Sequence, residues 1–187
     1  GYPQVLKIVS ADIAHKTEIG GVIVGVKDAD EAEQAFATIL SRAQEKRPDA
    51  CIDGVMVAPM ISGGVETIVG VVSDPVFGPV VMFGLGGVFV EVLKDVTFRL
   101  APFDVAEAHR MIREIRGFAM LEGVRGAPPA DVDALAEMLA ALSRFAAANA
   151  ARIDSIDLNP VRVLERGKGV TALDALIVPR GANEEAH

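Results

Sequence analysis

Apolar positions in this chain fall into short runs separated by polar stretches rich in glycine and proline, the spacing of strands and amphipathic helices joined by turns. Val5 to Val9 reads as a strand interrupted by Lys7, and the polar stretch Ser10 to Gly21, ending in Gly20-Gly21, as a loop. Val22 to Val26 is a second strand. Asp28 or Asp30 caps a helix to about Arg47, with Ala32, Ala35, Phe36, Ile39 and Leu40 on one face, and Pro48 stops it. Strands follow at Gly54 to Met60, Val65 to Val72 and Val80 to Phe83, with a turn at Asp74-Pro75. A glycine loop, Gly84 to Gly87, precedes a short strand at Val96 to Leu100.

In the second half, Asp104 caps a helix through Ile115, with Ala108, Met111, Ile112 and Ile115 inward. Pro128-Pro129 opens an alanine-rich helix, Asp131 to Asn149. Strands are expected at Ile153 to Leu158, Val161 to Leu164 and Val170 to Ile177, and residues 179–187 form a polar, disordered tail. Hairpin-like strand runs mixed with isolated helices predict an α+β (mixed α/β) fold and not a regular βαβ winding.

Composition narrows this picture. Of 187 residues, 51% are apolar, and the apolar content is Val, Ile, Leu and Ala with one Tyr and no Trp, which suits a buried sheet covered by helices. The net charge of −8 argues against nucleic acid or an anionic membrane as partner. A phosphate ligand remains compatible, because a few local cations and backbone N–H groups can hold it inside an acidic protein. Cys51 is the single cysteine, so no internal disulfide or cysteine zinc site forms, and it is expected as a small buried or half-buried hydrophobe. The longest apolar stretch, Val80 to Val92, is interrupted by glycines and by Glu91, and no charged n-region precedes an apolar h-region. A soluble cytoplasmic protein is expected.

Four patches carry candidate chemistry. Gly84-Leu85-Gly86-Gly87 begins like a dinucleotide fingerprint, but Phe89 stands where the third glycine belongs, so a Rossmann site is rejected. A phosphate-approaching loop and a plain tight turn both remain open. Lys7, in an apolar strand, is either on an edge strand facing solvent or a phosphate-binding cation in a cleft. Asp157 and Asn159 share a strand face, and a hairpin turning near Arg166 to Gly169 lets Asp174 lie opposite Asn159. That oxygen set suits Mg²⁺, while Asx-turn chemistry before Pro160 is the alternative. His15-Lys16 lies in the Gly20-Gly21 loop, where a solvated residue is the ordinary reading; His109 and His187 are read the same way. No Ser/His/Asp or HExxH arrangement is present.

Together these patches resemble one family. The runs Gly1-Tyr2-Pro3-Gln4-Val5-Leu6-Lys7-Ile8-Val9-Ser10 and His15-Lys16-Thr17-Glu18-Ile19-Gly20-Gly21-Val22 carry the likeness. So do Phe77-Gly78-Pro79-Val80-Val81-Met82-Phe83-Gly84-Leu85-Gly86-Gly87 with Val90-Glu91-Val92-Leu93-Lys94-Asp95, then Phe98-Arg99-Leu100-Ala101-Pro102 and Asp157-Leu158-Asn159-Pro160. They resemble the ATP-grasp subunit or domain of the ADP-forming (NDP-forming) acyl-CoA synthetases, with the succinyl-CoA synthetase beta subunit as a more distant relative.

The resemblance implies an ATP-grasp fold over residues 1–178, with lobes of about 1–60 and 61–178 and ATP or ADP between them. It implies Lys7 on phosphate oxygens, a base-reading hinge at Val57, Ala58 and Met60, and Glu66 facing the nucleotide. Gly84, Gly86 and Gly87 would cover phosphates, Arg99 would neutralise transferring charge, and Asp157, Asn159 and Asp174 would hold Mg²⁺. His15 would be a catalytic phosphate carrier. The implied partner is a CoA-binding/ligase domain or subunit, with an oligomer in the complete enzyme. Three departures stand out. The chain starts almost at the lysine strand, so a truncated N-terminal segment is expected; Ala58-Pro59 occupies the hinge where a polar side chain is usual; and the CoA-binding part is not in the chain. Two alternatives are another ATP-grasp carboxylate ligase and a non-catalytic nucleotide-binding or interaction module.

Overall fold

The computed structural model describes residues 1–13, 15–87, 94–124 and 126–181. The chain divides into two compact units, Gly1–Ser62 and Gly63–His187.

The first unit contains β1 (Gln4–Val9), β2 (Val22–Val26), α1 (Ala29–Lys46) and β3 (Gly54–Pro59). The strands form an antiparallel sheet in the order β2-β1-β3, so β1 lies in the middle. Alternation sends Leu6 and Ile8 of β1 toward α1, where they meet Ala35, Ile39, Ala43 and Val26. Each such buried aliphatic side chain contributes about 1.5–3 kcal/mol. Of the two possible caps for α1, Asp28 is the one used: its Oδ1 accepts from the Glu31 N–H at 2.8 Å, and Glu31 Oε2 in turn accepts from the Lys27 N–H at 2.8 Å. Cys51, expected buried or half-buried, is exposed. Its backbone is what is held, the N–H by Asp12 Oδ2 at 2.7 Å and the carbonyl by Ser10 Oγ at 2.6 Å, which leaves the side chain outward.

The second unit contains β4 (Val65–Asp74), β5 (Gly78–Leu85), β6 (Val96–Leu100), α2 (Val105–Arg113), α3 (Ala119–Glu122), α4 (Val132–Ala148), β7 (Ile153–Val163), β8 (Val170–Ala172) and β9 (Ala175–Pro179). The sheet runs β6-β5-β4-β7-β8, with β9 also paired to β7. Val69 and Val71 of β4, Val81, Phe83 and Leu85 of β5, and Val161 and Val163 of β7 pack with Met111 and Ile112 of α2 and Leu135 and Leu139 of α4. One face of the sheet is therefore the helix face.

Several elements differ from the sequence reading. Gly84 and Leu85 belong to β5 and not to a loop. Pro160 does not break the strand: β7 continues through it because its register against β4 shifts there, from Val69 opposite Leu158 to Thr67 opposite Val161. A proline lacks a ladder N–H, and a bulge is where that lack is tolerated. The final strand is instead interrupted at Leu173-Asp174, between β8 and β9. The short helix α3 and the 3₁₀ turn Arg116–Phe118 before it were not predicted. Arg180, expected in a disordered tail, donates to Ser73 Oγ at 2.6 Å; residues 182–187 of that tail lie outside the described residues. Among the described residues no helix is long and apolar enough to cross a membrane.

Asp131 ties three elements together. Its Oδ1 accepts from the Ala134 N–H at 3.3 Å, capping α4, and its Oδ2 accepts from Gly167 and Gly169 N–H at 2.9 and 2.8 Å in the turn between β7 and β8. The Gly169 bond above all holds its carboxyl below the ordinary 3.8. A depressed carboxylate stabilises the fold fully above that ordinary value, and the contribution fades as pH falls through the lower folded-state value. Asp131→Ala is expected to cost about 2–4 kcal/mol in urea unfolding at neutral pH. The gap between wild type and variant should narrow below pH 3.8; a gap that stays constant through that range contradicts the assignment.

Candidate functional site

In the first unit, Lys7 pairs across β1 with Val22 and Met56, and its neighbours Leu6 and Ile8 fill the side toward α1. Lys7 is therefore half-buried on the opposite face of a central strand, which removes the edge-strand alternative. Just past the end of β3, the Met60 N–H donates to the Pro3 carbonyl at 3.1 Å. The two-residue period of an antiparallel ladder carries that inward direction to Ala58, opposite Val5, and turns the N–H and C=O of Val57 away from β1. The hinge expected at Val57, Ala58 and Met60 thus narrows to Val57 as the residue with outward backbone groups.

The loop carrying His15 is fastened at both ends. On the incoming side Ile13 is 2% exposed in the core under α1. On the outgoing side the Gly21 N–H donates to Lys16 O at 2.8 Å and the Ile8 N–H donates to Gly21 O at 2.8 Å. A Cβ on Gly21 would lie 2.7 Å from Ile8 Cγ2 and 2.9 Å from Lys16 O. Gly20-Gly21 is accordingly a close-packed closure of the loop. His15 itself is exposed.

In the second unit, the face opposite the helices carries two cross-strand rows, Val72–Val80–Leu100 and Gly70–Met82–Phe98. Gly70 pairs with Asp157, so the second row ends at that carboxylate. The missing side chain at Gly70 leaves a depression of about 270 Å³ lined by Val72, Val80, Met82, Phe98 and Asp157. Asp157 and Asn159 are both exposed, while Ile156 is buried and Leu158 packs against the core between them. Asp174 is brought beside Asn159 by two backbone bonds: the Asn159 N–H donates to Asp174 O at 3.3 Å and the Leu173 N–H to Pro160 O at 2.8 Å. Two carboxylates and one amide form an oxygen-only set that fits a hard cation retaining waters or taking phosphate oxygens. No group of three or more His, Cys, Asp or Glu suited to a metal exists among the described residues, so an all-carboxylate cage is not offered there.

Glu66 pairs with Arg162 across β4 and β7, and Arg162 Nη2 reaches Glu66 Oε2 at 3.4 Å. The Arg162 Nε is buried without a hydrogen-bond partner. Gly86 is occupied structurally: its N–H donates to Glu66 O at 2.8 Å, and a Cβ would lie 2.9 Å from Glu66 Cγ. Gly84 lies in the ladder between Ile68 and Val96. Of the three glycines read as a phosphate cover, only Gly87, at φ +63° beyond the strand, lies past the ladder; the residues that follow it, 88–93, lie outside the described residues.

Arg99 requires a correction. It pairs with Val81, a helix-face residue, and so points toward α2, away from Asp157. Its Nε donates to Glu107 Oε1 and its Nη2 to Glu114 Oε1, both at 2.5 Å. Glu114, then Glu107, hold the guanidinium protonated above its ordinary value, and Arg99, then Arg110, hold the Glu107 carboxyl below its own. The arginine on the Asp157 face is Arg162, which the sequence reading missed. Its signal, an arginine alternating with Val161 and Val163, becomes legible only once Glu66 is known to face it.

The chain matches the ATP-grasp domain family over residues 1–178. It is 49% identical over 170 residues to the ADP-forming acetate–CoA ligase I of Archaeoglobus fulgidus, covering 91% of this chain and 24% of that protein. It is 43% identical over 181 residues to the beta subunit of ADP-forming acetate–CoA ligase II of Pyrococcus furiosus, covering 97% of this chain and 77% of that subunit. The dinucleotide-forming acetyl-coenzyme A synthetase 1 of Ca. Korarchaeum cryptofilum, solved with coenzyme A and Ca-AMPCP, superposes with a TM-score of 0.91 at 42% identity, covering 96% of this chain and 77% of that one. The same synthetase solved with Mg-AMPPCP, its phosphohistidine segment pointing towards the nucleotide binding site, gives a TM-score of 0.82 at 39% identity, covering 96% and 78%. The chain thus spans about a quarter of the first relative's length.

Arg99→Gln is expected to lower stability by about 1 kcal/mol, since its carboxylate partners are partly exposed. Nucleotide affinity should stay within about twofold by calorimetry. A larger loss of affinity in a folded variant would return Arg99 to the ligand face.

Proposed function

The chain belongs to the ATP-grasp domain family, and on that premise we propose that it is the nucleotide-binding, phosphoryl-transferring part of an ADP-forming acyl-CoA synthetase. The complete reaction converts acyl-CoA, ADP and phosphate into acid, CoA and ATP, reversibly, with the CoA chemistry on a partner domain or subunit. One observation carries the reading: the bulge in β7 and the break between β8 and β9 coincide, setting Asp174 beside Asn159 on the strand that bears Asp157.

Phosphoryl transfer asks a protein mainly for positioning and charge stabilisation. Asp157, Asn159 and Asp174 supply the oxygen ligands for Mg²⁺, which when bound neutralises phosphate charge. Lys7 contacts phosphate oxygens from the middle of its sheet. Val57 offers an outward N–H and C=O to the edge of a base. Arg162 takes the charge-neutralising place expected of Arg99, with Glu66 steadying its guanidinium.

His15 acts as the phosphate carrier. One neutral ring nitrogen attacks phosphorus, the bond from phosphorus to the donor breaks, and the other nitrogen keeps its proton. In the direction of ATP formation a terminal oxygen of ADP attacks the same phosphorus and the P–N bond breaks. Lys16, next in the chain, offsets the charge of the phosphorylated ring.

Titration calorimetry with ADP, with and without Mg²⁺, tests the site. Asp174→Asn should weaken Mg²⁺-dependent binding roughly tenfold, about 1.4 kcal/mol, with the fold intact. Unchanged Mg²⁺ dependence removes Asp174 from the metal site, and absence of any binding by the wild-type chain favours a non-catalytic interaction module. In the complete enzyme, His15→Gln should abolish acyl-CoA turnover while nucleotide binding persists, and wild-type turnover in that variant overturns the carrier role.

A further inference from the structure

The loop that presents His15 is gripped by α1. Arg42 Nη1 donates to the Gly20 carbonyl at 3.3 Å, and Lys46 Nζ donates to the Glu18 carbonyl at 3.1 Å. The two cations are four residues apart, so they project from one side of the helix. Gly20 is shaped to receive the first of them: its φ is +71°, and a Cβ there would lie 3.0 Å from Arg42 Cδ. The arginine stem therefore lies across a position where any side chain would displace it. The incoming limb has its own fastening, with Asp12 Oδ2 on the Cys51 N–H at 2.7 Å and Ile13 in the core.

We propose that Arg42 and Lys46 are positioning residues that hold the outgoing limb of this loop and so fix where His15 presents its ring. The inference rests on the carrier reading of His15, and it assigns a task to cations that the nucleotide and metal sites do not use. Their bonds go to backbone carbonyls of the loop, which have no charge to neutralise, so what these residues supply is geometry. Lys46 also stands in the last turn of α1, where a cation favours the helix end regardless. Arg42, a full turn earlier, is the cleaner probe.

The test uses the complete enzyme, comparing wild type, Arg42→Ala, the Arg42→Ala/Lys46→Ala pair and Arg42→Lys. Amide exchange is read at Gly20 and Gly21, whose N–H groups donate within the loop to Thr17 O and Lys16 O at 3.0 and 2.8 Å. Acid-labile label on His15 from radiolabelled ATP is followed in time, with nucleotide affinity and Tm measured alongside. In the paired variant, exchange at both glycines should rise about tenfold as local opening becomes easier. Labelling should slow by a similar factor while nucleotide affinity is unchanged. Arg42→Lys, which keeps a donor for the carbonyl, should recover most of the labelling rate. Unchanged exchange overturns the grip, and wild-type labelling despite faster exchange overturns its role in positioning. If the wild-type enzyme takes no label on His15, the carrier reading fails and the positioning role falls with it, while the exchange measurement still decides whether the two residues hold the loop.

Discussion

A one-residue register shift between β4 and β7 decides what the second unit shows on each side of its sheet. Below the shift, Ile156 and Leu158 face the helices while Asp157 and Asn159 face away. Above it, Val161 and Val163 face the helices and Arg162 faces away. An unbroken two-residue period would have sent Val161 and Val163 out and Arg162 into the helix core. The shift is held by Thr67, fully buried, whose hydroxyl donates to the Val161 carbonyl at 3.0 Å just past the bulge. The break between β8 and β9 then falls opposite, which brings Asp174 to Asn159.

The glycine-rich motif serves the same frame from the neighbouring strand. Gly86 lies so close to Glu66 that a side chain would push the carboxylate away from Arg162. Further along, Asp95 accepts from the N–H groups of Arg116 and Gly117 at 2.8 and 2.7 Å. Gly117 leaves room for Leu85, since a Cβ there would lie 2.3 Å from Leu85 Cδ1. Much of the motif that looks like a phosphate loop in sequence is therefore packing that fixes the strand end beneath Glu66.

What was legible in the sequence follows the range of the forces involved. Caps act within three residues, so Asp104 was readable and Asp28 was one of two candidates, and the bounds of β2 agree to the residue. Lys7 was readable as an anomaly, a charge in an apolar run, but only the sheet order shows that its strand is central. The pairing of Asp174 with Asn159 was anticipated because one hairpin joins them. Arg99 was misassigned because strand parity says that a residue faces one side, not which side the helices cover. Arg162 was missed for a related reason: its face depends on a bulge and on a partner, Glu66, 96 residues away.

The two arginines show how an acidic chain can still meet a polyanion. Net charge is −8, so attraction to phosphate must come from local placement. Arg99 is held by two carboxylates at 2.5 Å each, which saturates its charge and suits a brace between β6 and α2. Arg162 has one carboxylate at 3.4 Å and a buried Nε without a hydrogen-bond partner. A guanidinium in that second state has donors to offer, and its loose pairing with Glu66 offsets part of the cost of partial burial without consuming its charge. An incoming phosphate oxygen gains more from the loosely held cation than from the saturated one. Where a cation sits in the sheet, and what already neutralises it, decides more sharply than residue type how much of its charge is left for a phosphate.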